Sequence, residues 1–329
     1  MRILFIFAIL LLMPIALLAR NRATSRYMSD FSRELIRTQP PWSKPIYSGT
    51  QVTVPGLENV PDIHGDINNP QLVVFFAGNQ YMLVNQLLRD FQLRYPEYRR
   101  VVAFTFPPGR LIKAFASGHG LLLGNMHVSL TPDVLTAGKR GIQNAQKAHH
   151  WFSKTEAYAR NRLAIMVQKG NPKHILGLTQ LADKNLRLCM PDPHWEGIAR
   201  HAIIPALRKA GGQNLVHQVY SVKVREGTTF LTHIHHRQTP IRIMQKKCDA
   251  GVVWYSEAYF HAHILHHNVS IVRIKREQNK TVVYVAGQIK TSRHLKAARE
   301  FMRFLLSRQA QALYRYYGFL PPKKTPKDE

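Results

Sequence analysis

Residues Leu72–Ala77 read LVVFFA, an unbroken apolar run of β-branched and aromatic side chains that ends at Gly78-Asn79. A run this short, apolar on both of its alternating faces, predicts a strand covered on both sides, and such strands belong to parallel sheets sandwiched between helices. The stretch Tyr81–Tyr95 then places Leu83, Leu87, Leu88 and Phe91 at helical spacing, with Pro96 as its stop. Val101–Phe106 (VVAFTF) repeats the strand signal, and Pro107-Pro108-Gly109 turns the chain into a helix over Arg110–Ala116.

The same unit recurs. Arg162–Val167 and Leu186–Met190 predict strands, the second followed by a helix through Ile198, Ala202, Ile203 and Leu207 that closes at Gly211-Gly212. Thr239-Pro240 reads as an N-cap with proline at the first helical position, opening Ile241–Lys246. Asp249–Trp254 and Val282–Ala286 predict further strands, and Ala297–Arg315 one long amphipathic helix stopped by Gly318. Strand, short turn and helix in alternation define an α/β class.

The N-terminal part differs. Arg2 precedes an apolar run from Ile3 to Leu18, and Ala19 suits a cleavage site, so 1–19 is expected to be a signal peptide or an uncleaved N-terminal anchor. Residues 20–70 carry Pro40, Pro41, Pro45, Pro55, Pro61 and Pro70 without periodicity and are expected to form an extended arm.

Charge then bears on partners. Lys and Arg number 46 against 19 Asp and Glu, a net charge of +27. An excess of this size points to an anionic partner. The cations are spread along the chain rather than gathered into a stripe with interleaved aromatics, and with an export signal this argues against nucleic acid. The expected roles of the charge are to steer small anions and to hold the chain near an anionic membrane surface.

The predicted turns locate candidate chemistry. Asn79, Gly109, Glu196-Gly197 and Ser256 each fall just past the carboxyl end of a predicted strand, the edge where open α/β sheets bind ligands. No Walker loop, GxSxG or GxGxxG motif is present, so no catalytic residue is assigned and no cofactor is expected. His233, His235 and His236, and His261, His263, His266 and His267, form clusters in a chain with 17 His, but no HExxH or Cys pair joins them; no metal site is assigned. Cys189 and Cys248 are either bridged or isolated thiols in different strands. A polar segment, Gly227-Thr228-Thr229 through His235-His236-Arg237-Gln238-Thr239, is expected on the cleft side. There Arg237 would hold an oxyanion or carboxylate through paired N–H groups, with Thr229, His236 and Gln238 adding polar contacts.

In order and spacing, LVVFFAGNQYMLVNQLLRDFQLRYP (72–96), NRLAIMVQKGNPKHILGLTQLA (161–182), RLCMPDPHWEGIARHAIIPALRKAGG (187–212), CDAGVVWYSEAYF (248–260) and AAREFMRFLLSRQAQALYRYYGF (297–319) resemble the molybdate-type periplasmic solute-binding proteins of ABC importers. The resemblance implies a two-lobe type II periplasmic-binding-protein fold, each lobe a mostly parallel sheet flanked by helices and joined by a two-strand hinge. It places lobe I at 71–165 plus 282–321 and lobe II at 166–281; the Lys-rich stretch 322–329 beyond them reads as a basic tail. The resemblance also implies a small anion in the cleft, met by Gly78, Asn79 and Gln80, by Gly109 and Arg110, by Trp195, Glu196 and Gly197, and by Trp254 and Tyr255. Pro107-Pro108 stands where the family has hydroxyl-bearing residues and removes N–H donors, so molybdate itself does not follow. The expected protein is an exported monomer, not an enzyme, that passes an oxyanion such as molybdate, tungstate or sulfate, or a small carboxylate, to an ABC permease. The alternatives are an envelope-associated anion sensor and an exported His-dependent metal hydrolase.

Overall fold

The computed structural model describes residues 51–53, 62–123, 126–233 and 237–322. The expected leader (1–19), much of the arm, His235 and His236, and most of the basic tail lie outside them.

In chain order the strands are β1 (Gln51–Thr53), β2 (Asp62–Gly65), β3 (Leu72–Ala77), β4 (Val101–Phe106), β5 (Leu121–Leu123), β6 (Met126–Val128), β7 (Val134–Gly138), β8 (Phe152–Asn161), β9 (Leu163–Gln168), β10 (Leu188–Pro191), β11 (Thr229–Thr232), β12 (Ala250–Trp254), β13 (Val269–Arg273) and β14 (Val282–Ile289). The helices that organise the fold are α1 (Tyr81–Arg94), α2 (Pro108–Ser117), α3 (Lys139–His149), α4 (Ile204–His217), α5 (Gln238–Met244), α6 (Tyr255–Tyr259), α7 (Leu295–Leu305) and α8 (Arg308–Tyr316).

Two sheets carry the two lobes. The first runs β1-β2-β4-β3-β7-β14-β8, the second β11-β10-β12-β9-β13, and β5 and β6 form a separate hairpin. β3 shows why the apolar run forms a strand here. Leu72, Val74 and Phe76 enter one core with α1, α7 and α8, while Val73 and Phe75 enter the opposite core with α2 and α3. β9 divides likewise, with Leu163, Ile165 and Val167 on one face and Ala164 and Met166 on the other. A strand covered on both faces reads as continuous apolar sequence.

Parallel pairing joins β4-β3-β7 at the centre of the first sheet and β11-β10-β12 on one side of the second. β2, β14, β8, β9 and β13 pair antiparallel, so the expectation of mostly parallel sheets holds for those two sets of strands and not for the rest. The chain passes from the first sheet to the second between β8 and β9 and returns between β13 and β14, as the two-strand hinge requires.

Three local expectations are corrected. The arm assigned to 20–70 contributes β2, which pairs with β4 and buries Asp62 and His64. Its alternation of polar and apolar residues over only four positions left no apolar run to detect. The single helix expected over 297–315 is two, because Ser307 accepts a hydrogen bond from the Ala310 N–H and caps a new helix there. Thr239 is not an N-cap: α5 begins at Gln238, and Thr239 is buried in its first turn.

Candidate functional site

The carboxyl ends of β10, β11 and β12 and those of β3, β4 and β8 lie on the hinge side of their sheets. Ser256, just past β12, accepts a 2.8 Å hydrogen bond from Nδ2 of Asn161, the last residue of β8. The Tyr255 N–H donates to the Arg162 carbonyl at 2.7 Å. Short crossovers thus hold the two carboxyl edges face to face.

Arg237 spans that gap. It arrives from the second lobe immediately before α5, and its Nη2 donates to both oxygens of Asp62, at 2.8 and 2.7 Å, on β2 of the first lobe. Its guanidinium lies 3.7 Å from the ring centroid of Tyr81, at the start of α1. Tyr81 in turn packs edge-on against Phe260 of the second lobe, with centroids 6.0 Å apart. Asp62 is 2% exposed and also accepts from the Thr105 hydroxyl at 3.0 Å. Next to it along β2, His64 is fully buried between Thr105 Oγ1 at 3.2 Å and Asn85 Oδ1 at 3.0 Å. Burial pushes the His64 pKa down, against the nearby Asp62 charge, and so favours the neutral ring.

Two further carboxyl groups line the second lobe. Glu196 is buried past the end of β10 and accepts a 2.9 Å bond from the Thr232 hydroxyl at the end of β11. Burial, with Glu257 and Asp192 nearby, lifts its pKa well above the carboxylate range despite the bond from Thr232. Glu257, in the first turn of α6, is pushed up to about 8 by burial, with Arg237 opposing. Burial thus disfavours the charged form of both, and the protonated form of each would present a hydroxyl donor rather than a negative charge. His261 is pushed down to about 3 by burial, with His267 and Arg237 acting in the same direction, and its Nδ1 lies 2.9 Å from that of His267. Among the described residues no group of three or more His, Cys, Asp and Glu is placed to hold a metal ion.

The residues expected at the site divide. Arg237 and Glu196 face the interlobe edge, and Asn79 is there too, its amide donating to the Tyr284 hydroxyl. Gln80 is turned into the first lobe, where Nε2 donates to Tyr158 at 2.7 Å and Oε1 accepts from Tyr314 at 2.8 Å. Its side chain belongs to the core. Thr229 is at the amino end of β11, the opposite end from Thr232, so the strand places it away from the cleft. Gln238 accepts from the His233 N–H at 2.6 Å and shapes the turn before α5. Gly109 and Arg110 are exposed in the first turn of α2, behind Pro108. Trp254 is packed into the second lobe's core. Tyr255 has its ring under the Arg162 guanidinium at 4.2 Å, at the hinge. Trp195 is 38% exposed beside His194, and Gly197 sits close to His201. His236 lies outside the described residues.

Asp62, Tyr81, Thr232, Asn161 and Glu257 also take part in the interlobe edge, outside the expected ligand set. Tyr81 opens the predicted helix, a position that carries a signal in the sequence. Asp62 lies in a segment without periodicity and carries none.

The comparisons agree with this architecture. A family profile described as bacterial extracellular solute-binding protein matches residues 72–320. The periplasmic molybdate-binding protein of Azotobacter vinelandii is similar in structure, with a TM-score of 0.59 and 15% identity over 77% of this chain and 100% of that one. The sulfate-binding protein SubI of Mycobacterium tuberculosis gives 0.57 and 19% over 76% and 85%. Iron-bound HitA of Pseudomonas aeruginosa gives 0.59 and 14% over 78% and 89%. No curated protein matches by sequence.

Proposed function

Since the chain belongs to the bacterial extracellular solute-binding proteins, we propose that it captures a small anion between its lobes outside the cytoplasm and passes it to an ABC permease. The observation that carries this reading is Arg237: a guanidinium projected from the second lobe into the first, at the strand edges where such sheets bind ligands. Neutral Glu196 and Glu257 would not repel an oxyanion there, and their hydroxyls would add donors. Binding is non-covalent: the lobes close about the hinge and exclude water, which strengthens each polar contact.

Export is supported by the disulfide between Cys189 and Cys248, a bond kept in oxidising compartments. Among the described residues no helix is long and apolar enough to cross a membrane. The reading takes the protein as a monomer without catalytic role or cofactor. It assigns the +27 charge to steering anions and to contact with an anionic membrane surface, both effects screened beyond about 8 Å at physiological salt.

A thermal-shift and calorimetric screen with molybdate, tungstate, sulfate, phosphate and small carboxylates tests it. An anion at 100 times its dissociation constant stabilises the fold by about 2.7 kcal/mol. Arg237→Gln is expected to lose that shift. Equal binding by wild type and Arg237→Gln would remove the site assignment.

A further inference from the structure

Arg237 is already engaged by a carboxylate of the chain itself. Asp62 reaches it from the first lobe with both oxygens, and two features hold Asp62 in that position. β2 is fixed antiparallel on β4, with Asp62 opposite Thr105. The Thr105 hydroxyl donates to Asp62 at 3.0 Å and is itself in contact with His64, which is anchored on Asn85. The guanidinium is equally constrained, since the Tyr81 ring covers one of its faces. The groups around the pair are His64 on β2, Thr105 on β4, Tyr81 on α1, Glu257 on α6 and His261 beyond it, so Asp62 and Arg237 balance each other's charge locally.

We infer that Asp62 is an internal competitor for Arg237, which an incoming anion has to displace. This rests on the reading that Arg237 meets the ligand. A monocarboxylate offers Arg237 the same group that Asp62 offers, but at the entropic cost of association, whereas Asp62 is tethered and prepositioned. A dianion brings more charge and more acceptor oxygens, but Asp62, 2% exposed, is then left as a buried carboxylate beside it, a cost that grows with the charge of the ligand. Asp62 therefore holds the affinity of the site down for either class, and its exchange also removes the ion pair joining the lobes.

The test measures dissociation constants for sulfate, molybdate and acetate with wild type, Asp62→Asn, Thr105→Val and Arg237→Gln, each first checked for cooperative melting. Wild type is expected to bind at least one of the three anions. Asp62→Asn should bind that anion at least tenfold more tightly. Thr105→Val keeps the Asp62 charge but loosens its hold, and should move the constant the same way by a smaller factor; it decides the question if Asp62→Asn does not fold. Anion binding that needs Arg237 but is unchanged or weakened in both Asp62→Asn and Thr105→Val overturns the competitor and leaves the binding site standing. Binding that is indifferent to Arg237→Gln, or absent from every variant, overturns both. Anion binding gained only on substitution of Asp62 supports the competitor in its strongest form.

Discussion

Thr239 stands so close over Gly251 that a Cβ on the glycine would lie 2.4 Å from its methyl carbon and 2.3 Å from the Cys189 carbonyl oxygen. The first turn of α5, which carries Arg237 just before it, is seated directly on the amino end of β12 by this contact. The carbonyl belongs to backbone and cannot turn aside. Gly251→Ala is therefore expected to lower stability by about 1–3 kcal/mol, read as a fall in melting temperature. Because the displaced element positions Arg237, anion affinity should fall with it. A variant that melts with wild type would show that α5 is free to shift.

The bridge between Cys189 and Cys248 closes a loop of sequence separation 59 beside the same glycine. A loop of that length makes the bridge worth about 4 kcal/mol on the chain-entropy estimate. The double variant Cys189→Ser, Cys248→Ser is expected to melt well below wild type, and reductant should lower the wild-type melting temperature but not that of the variant. Mass spectrometry after alkylation of the unfolded, unreduced protein should find no free thiol.

Gln80 separates core from site. A substitution there should damage the fold without discriminating among anions, because both ends of its amide are bonded within the first lobe. Gln80→Leu keeps most of the volume but leaves the buried Tyr158 and Tyr314 hydroxyls short of a partner, a cost of about 1–3 kcal/mol. Calorimetry is expected to show a destabilised protein whose relative affinities for sulfate and molybdate are those of wild type. A change in that ratio would return Gln80 to the site.

What could be read from the chain, and what could not, follows from burial. β3, β4, β9 and β12 are covered on both faces and advertise themselves as apolar runs. β8 reads FSKTEAYARN, with polar residues along its exposed stretch, and β11 and β13 are short and mixed, so none carries a run to detect. Arg237 stands out in the sequence because a guanidinium in a polar segment at a predicted turn can meet an oxyanion through paired N–H groups. Gln80 gives no such clue, because a polar residue after a strand looks alike whether it turns to the cleft or, as here, to a ring of tyrosines. Asp62 was invisible because its partner is distant in sequence and on the other lobe. The Asn161–Ser256 contact across the hinge is equally a product of the crossover, not of either local segment.

Glu257 gives the site a signature in pH. Its carboxyl is buried and its pKa in the folded chain is about 8, above the ordinary 4.5. Between those values the folded chain holds a proton that the unfolded chain has released. Stability from this group is thus fully present below about pH 4.5 and is lost as the pH rises through about 8, with a limiting slope near 1.4 kcal/mol per pH unit. Glu196 acts in the same direction. Glu257→Gln keeps the shape and removes the titration, so its stability should fall less than that of wild type between pH 5 and 9. Chemical denaturation at a series of pH values measures this directly. Parallel curves for the two proteins would mean that Glu257 is ionised in the fold, and an ionised Glu257 beside Arg237 would turn an anion away.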